Sequence, residues 1–480
     1  MSDVSSPQVR ITWPPNDTNA SFAGFDVNIV SFDPAGLDTI EVTLTIPTFG
    51  NVADDQRQPY VTATKTPGFE VFSNAHLTPT NRNWNRVLAR AKDKAGNYGY
   101  YDVRVTFPEP PKPPGIDWSK LVGVDYLVGV LSRKENGPAI TPDRMGQAYE
   151  MAQIQKLADK RINFLRVWVD WEAMVPYATN RQNVLDELKY IAIECRKHNM
   201  LFYVVSGQFA GSSSWIYRNA DGGIVRGDGF PAYVTAGYPV NTTGGDVYQV
   251  QACKDFFNAL YNRSLLGGTI VDEYFTQFFK PIYETLENFD SFIGCEILNE
   301  PPILINGSIQ WAALGEFHTR VAQLIRTVSV KPIMFSEAIP RAGAGGATIP
   351  NLVLTKPRIS NVVYAPHTYA FQPSTFAAHC NTFKQTAIAM GGIPVIVGEY
   401  APGTSAAFRN DGSNQNGTVM NQTNTDAQLQ ALKANGFASN FWAWVPSWEI
   451  VANHDLVKND GTLSTIGVYY FNARQKAYGY

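Results

Sequence analysis

The chain has 480 residues, of which 44% are hydrophobic and 17% charged, and carries a net charge of −3. That length exceeds one ordinary core and points to two domains, and the composition is that of a globular chain rather than a disordered one. The near-neutral balance gives no electrostatic footprint for nucleic acid or anionic lipid, and no run of about 18 apolar residues marks a membrane span.

The opening MSDVSSPQV has neither a basic n-region nor an apolar h-region, so no signal peptide is visible. Short alternating runs follow: VRITW (9–13), FDVNIV (25–30), IEVTLTI (40–46), YVTAT (60–64), FEVFS (69–73), RVLARAKD (86–93) and YYDVRVTF (100–107). Turn residues separate them and no helical period intervenes, which predicts a β-sandwich over 1–107. The stretch ARAKDKAGNYGYYDVRV resembles the last hairpin of bacterial immunoglobulin-like modules. Asp93 and Asn97 in its turn are read as capping their own tight turn rather than as calcium ligands. Next comes PEPPKPPG (108–115), a linker expected to run as polyproline II at about 3 Å per residue.

From residue 116 the rhythm changes to apolar runs alternating with helical stretches. LVGVDYLVGV (121–130) leads to a helix ending near Lys160, INFLRVWV (162–169) to one at 182–198, and MLFYVVSG (200–207) to a long Ser/Gly-rich segment, 206–250. A segment that long inside a compact domain is usually functional, and here it is expected to wall a cleft. FIGCEILN (292–299), KPIMFSE (331–337), NVVYAPHTY (361–369), IPVIVGEY (393–400) and SNFWAWV (439–445) complete the set, with helices at 308–328 and 375–390. Eight near-continuously apolar strands alternating with helices predict a (β/α)8 barrel over 116–480. An open doubly wound sheet is the alternative, weakened because no G-x-G-x-x-G follows the first strand.

In such a barrel, chemistry collects where strands end. Strand two ends at Arg166 and Trp168, and strand four at Asn299 and Glu300, against Pro301 and Pro302. Strand six carries His367 and Tyr369, strand seven Glu399, and strand eight Trp442 and Trp444. Two carboxylates, hydrogen-bonding groups and flat indoles suit a sugar. Retaining cleavage of a glycosidic bond needs one carboxylic acid and one ionised carboxylate about 5–5.5 Å apart, and Glu300 and Glu399 can face each other across the mouth. Glu296 is read as structural, paired with Arg166 or another cation, because an unpaired buried carboxylate is costly. Glu337 is the runner-up acid. Among the aromatics, Trp215, Trp442 and Trp444 are the expected sugar contacts, with Trp171, Trp448 and Tyr217 as further candidates. No His/Cys/Asp/Glu spacing suggests a metal, so no metal or other cofactor is expected. Cys195, Cys253, Cys295 and Cys380 are read as reduced and buried.

The motifs EILNEP and VIVGEY, with HTY on strand six and SNFWAW on strand eight, resemble glycoside hydrolase family 5, in the clan of (β/α)8 retaining glycosidases. The resemblance spans about 118–470. It implies Glu300 as acid/base, Glu399 as nucleophile, Arg166 and Asn299 as hydrogen-bonding partners, Tyr369 against the nucleophile and Trp442 beneath the central sugar. One station departs from the pattern. Family members often carry a histidine at the end of strand three, where this chain reads YVVSGQF with Ser206 and Gln208. The expected protein is therefore a monomeric, extracellular or cell-surface glycosidase whose partner is a poly- or oligosaccharide. The alternative is a carbohydrate-binding or phage-tail-like protein on a barrel that does not catalyse.

Overall fold

The computed structural model describes all residues except 1–5, 15–17, 20–24, 34–35, 47–55, 58, 66–70, 78–85, 107–114, 128–145, 177, 179–180, 209–210, 219–223, 244–249, 303, 306–307, 337–347, 371, 402–420, 445–455, 459–460 and 480. Most of the proline-rich stretch, together with Glu337 and Trp448, thus lies outside the described residues. The chain divides into two compact units, Met1–Lys112 and Pro113–Tyr480.

The first unit is all-β in its described residues. Gln8–Trp13, Phe25–Phe32, Val71–Leu77 and Thr64–Lys65 form one sheet. Thr18–Asn19, Tyr98–Thr106, Arg86–Asp93, Leu37–Ile46 and Gln56–Arg57 form the other, with Val61–Thr62 also paired to Leu37–Ile46. Alternation explains the core: residues two apart share a face. Val27 and Ile29 from one sheet meet Ile40, Val42, Leu44, Val87 and Ala89 from the other in a single buried cluster. The YVTAT run serves both sheets, Val61–Thr62 in the second and Thr64–Lys65 in the first. In the last hairpin the Asn97 backbone N–H donates to Asp93 Oδ1 and its side-chain amide to Asp93 Oδ2, both at 2.8 Å. This is a self-capped turn.

The second unit is a (β/α)8 barrel. Its parallel strands are Val122–Tyr126, Phe164–Asp170, Leu201–Gly207, Phe292–Glu296, Ile333–Phe335, Val362–Tyr364 continued by His367–Thr368, Ile396–Tyr400 and Ala438–Trp444. Strand six is in two pieces. Val362–Tyr364 pairs with strand five and His367–Thr368 with strand seven, and a Tyr364–Val395 bridge completes the closure. Pro366 stands at the break because it has no N–H to give the ladder. Its carbonyl still accepts from Gly398 N–H at 2.9 Å.

The barrel interior is layered. Phe164, Tyr203, Ile293, Met334, Val363 and Ile396 belong to an apolar layer. Leu127, Trp168, Val205 and Ala443 form another nearer the strand ends, with Trp442 against it. Strand two passes Phe164, Arg166 and Trp168 through the interior in turn, so Arg166 lies between the apolar layers. Asp125, Arg166 and Glu296 are all 0% exposed. Among the described residues no helix is long and apolar enough to cross a membrane.

Candidate active site

Arg166 organises the polar layer. Its Nε donates to Glu296 Oε2 at 2.8 Å, and Nη2 donates to Glu296 Oε1 at 3.0 Å and Asn299 Oδ1 at 2.8 Å. Nη1 donates to Asp125 Oδ1 and to Glu399 Oε1, each at 2.7 Å. These five contacts match the five N–H groups of a guanidinium. Burial opposes the Arg166 charge, but Glu296, Asp125 and Glu399 outweigh it and hold the group firmly protonated. Glu296 therefore takes the structural position expected of it.

Three carboxylates around one cation leave an excess of negative charge. Burial, and then the charges of Glu399 and Glu296, push the Asp125 carboxyl well above the usual carboxylate range despite Arg166. On the other side, burial works to lower the His367 pKa, while the Glu399 charge and the Glu300 hydrogen bond raise it above 6.5 overall. Both shifts act in the same sense, since a raised Asp125 carboxyl and a raised His367 imidazole each reduce the net negative charge around Arg166. Asp125 was not singled out in the sequence, although an acid inside the apolar run LVGVDYLVGV was the available signal, since burying one demands a partner.

Glu399 ends strand seven with its side chain 4% exposed. Arg166 holds Oε1, and the Tyr369 hydroxyl donates to Oε2 at 2.5 Å. Burial, then the Glu399 charge, pushes the Tyr369 phenol well above its ordinary range, so it remains a donor. Glu300 lies four residues beyond the end of strand four and is more open, at 21% side-chain exposure. The His367 Nδ1 is 3.1 Å from Glu300 Oε1 and 3.6 Å from Glu399 Oε2. One ligand-type atom each from Glu300, His367 and Glu399 all lie within 4.8 Å of one another. The Glu300 backbone has φ +37°, a region that costs a non-glycine residue about 1–3 kcal/mol.

The model of the cellulase family (glycosyl hydrolase family 5) matches residues 252–447, which contain Asn299, Glu300, His367, Tyr369, Glu399 and Trp442. Over residues 252–447 the barrel is a glycoside hydrolase family 5 domain. Endo-glycoceramidase II from Rhodococcus sp., solved as a lactosyl-enzyme intermediate, has the same fold at 17% identity and TM-score 0.52, covering 73% of this chain and 77% of that one. A broad-specificity endoglucanase from Clostridum cellulovorans matches at 14% identity and TM-score 0.49, covering 78% of this chain and 99% of that one. A Prevotella bryantii family 5 enzyme crystallised with a xyloglucan tetradecasaccharide matches at 15% identity and TM-score 0.47, covering 78% and 100%. No curated protein matches this chain.

The glycoside hydrolase barrel sorts its tryptophans differently from the sequence expectation. Trp442 is half-buried at the mouth, edge-on to Trp168 with ring centroids 5.5 Å apart. Trp444 does not share its face: it is 1% exposed, in the core between strands and helices. The register against strand one slips by a residue between Val124–Phe441 and Tyr126–Trp444, and that bulge breaks the alternation. Trp215 is also 1% exposed and meets Phe256 edge-on at 5.6 Å, so it fills core instead of offering a platform. Trp171, 1% exposed, packs at a tilt against Tyr274 and edge-on to Phe230.

At strand three, Ser206 points away from the barrel interior, with the Tyr274 hydroxyl 2.5 Å from its Oγ. Gln208 is fully buried behind Asn299. All four cysteines are buried and stand outside any disulfide. Glu300, His367 and Glu399 are close enough to serve as metal ligands, a cluster that sequence spacing hid because its members come from strands four, six and seven. Glu399 in that cluster is already engaged by the Arg166 cation at 2.7 Å.

Proposed function

We propose that this barrel hydrolyses β-glycosidic bonds of an oligo- or polysaccharide with retention of anomeric configuration. The observation that carries the reading is the carboxylate spacing, with a Glu300 oxygen and a Glu399 oxygen within 4.8 Å. Retaining pairs stand about 5–5.5 Å apart and inverting pairs about 6.5–9.5 Å, the wider gap leaving room for a water.

Glu399 acts as nucleophile. Arg166 and Tyr369 fix one oxygen each and compensate its negative charge. As its oxygen bonds to the anomeric carbon, the glycosidic C–O bond breaks and Glu300 gives its proton to the departing oxygen. A water then takes the vacated place. Glu300, now a carboxylate, accepts a proton from that water as its oxygen bonds to the anomeric carbon and the ester to Glu399 breaks. The greater openness of Glu300, 21% against 4%, suits the group that must meet leaving group and water in turn. Asn299 and His367 stand beside these carboxylates, and Trp442 lies at the mouth as a floor for the sugar. The N-terminal unit serves as a spacer or accessory module.

The test is Glu300→Gln and Glu399→Gln beside wild type on β-glucans, mannans, xylan and aryl β-glycosides. Cleavage by wild type with both variants down by several orders of magnitude supports the assignment. Glycan binding without cleavage, equal in all three, favours a non-catalytic carbohydrate-binding protein instead.

A further inference from the structure

We propose that Gln208 is the positioning residue for Glu300. The inference rests on the reading of Glu300 as the acid/base. Gln208 directly follows strand three and is 0% exposed. Its Nε2 donates to the Asn299 carbonyl at 2.7 Å and to the Glu300 carbonyl at 3.1 Å. In return, Asn299 Nδ2 donates to the Gln208 carbonyl at 3.0 Å, and the Asn299 N–H donates to the Ser206 carbonyl at 2.9 Å. The remaining atom of the amide, Oε1, accepts from Gly211 N–H at 3.2 Å.

The clamp falls where the backbone needs one. Strand four ends at Glu296, so Glu300 receives no place from the ladder, and its φ of +37° is one that L side chains rarely adopt. Two carbonyls on either side of that φ rotation are tied to a single nitrogen. Fixing both fixes the direction in which the Glu300 side chain leaves the chain. A primary amide can do this because it carries two N–H groups on one atom. A neutral imidazole carries a single N–H donor, so the glutamine at this station does work that a histidine could not. Gly229 adds a lid on the same side chain: a Cβ there would lie 2.5 Å from Gln208 Cβ, so the segment after strand three packs directly over the clamp.

Gln208→Ala and Gln208→Glu are compared with wild type and Glu300→Gln on dinitrophenyl and phenyl β-cellobiosides and β-lactosides. The dinitrophenolate leaves without protonation, whereas the phenolate needs the acid. The ratio of kcat/KM for phenyl over dinitrophenyl substrate is predicted to fall about 10²-fold in both Gln208 variants, in the same direction as in Glu300→Gln. A merely structural lesion lowers both rates together and leaves the ratio alone. Gln208→Glu keeps the volume and the acceptor for Gly211, so it serves if the alanine variant does not fold. A ratio shifted by Glu300→Gln but unmoved by both Gln208 variants overturns the positioning role and leaves the acid assignment intact. A ratio unmoved by Glu300→Gln removes the acid assignment and this inference with it. Crystal structures of the Gln208 variants read the same point without substrate: Glu300 is expected to leave positive φ, and an unchanged φ overturns the proposal.

Discussion

Replacing Arg166 with lysine should destabilise the barrel by about 2–6 kcal/mol. The guanidinium donates through five N–H groups to Glu296 twice, Asp125, Asn299 and Glu399. An ammonium has three, so two acceptor contacts lose their donor in a site that is 0% exposed. Each buried acceptor left unmade costs about 1–3 kcal/mol, which doubles to the range above. Set against a typical total of about 5–15 kcal/mol, the change is large but leaves the protein folded in most of that range. Urea unfolding followed by tryptophan fluorescence is the assay, because eight of the ten tryptophans follow residue 113. The lysine variant should unfold at clearly lower urea with an unchanged slope. A midpoint equal to wild type would refute the claim that this guanidinium holds the interior together.

Asp125→Asn should behave very differently from Arg166→Lys. If the Asp125 carboxyl is already neutral, as its raised pKa indicates, the asparagine keeps the acceptor for Arg166 and changes stability by less than about 1 kcal/mol at pH 7; a loss as large as that of Arg166→Lys would show that Asp125 is ionised. His318 tests pH dependence away from the site. Burial lowers its pKa from 6.5 to about 4, with Nδ1 2.8 Å from the Thr355 carbonyl. The unfolded chain therefore binds the proton first, so this group's contribution is present above pH 6.5 and is lost as pH falls towards 4. The difference amounts to about 3 kcal/mol, and His318→Gln should flatten the fall in urea midpoint across that window by a comparable amount. An identical fall in the variant would count against it.

Much of the barrel was legible because apolar strands broken by charged ends are a local signal. All eight strand positions were read within a few residues, and the four stations at Arg166, Glu300, His367 with Tyr369, and Glu399 do converge. What the sequence hid was mostly cross-strand. Arg166 and Glu399 are 233 residues apart, so their hydrogen bond was reached through the family resemblance and not from local pattern, and Asp125 beside them was missed. The two-piece strand six follows from Pro366, but its closing role depends on which neighbours each half meets. Trp442 and Trp444 look equivalent by alternation, and a one-residue slip separates them. Trp215 stood in a segment where a large ring suggested a ligand, yet the aromatic cluster with Phe256 and Phe230 absorbs it.

The most direct measurement is proton NMR of the anomer first released when the wild-type enzyme cleaves a β-linked oligosaccharide, recorded before mutarotation. With a Glu300 oxygen within 4.8 Å of a Glu399 oxygen, the β anomer is the expected first product. The α anomer appearing first would contradict the double-displacement assignment of these two residues.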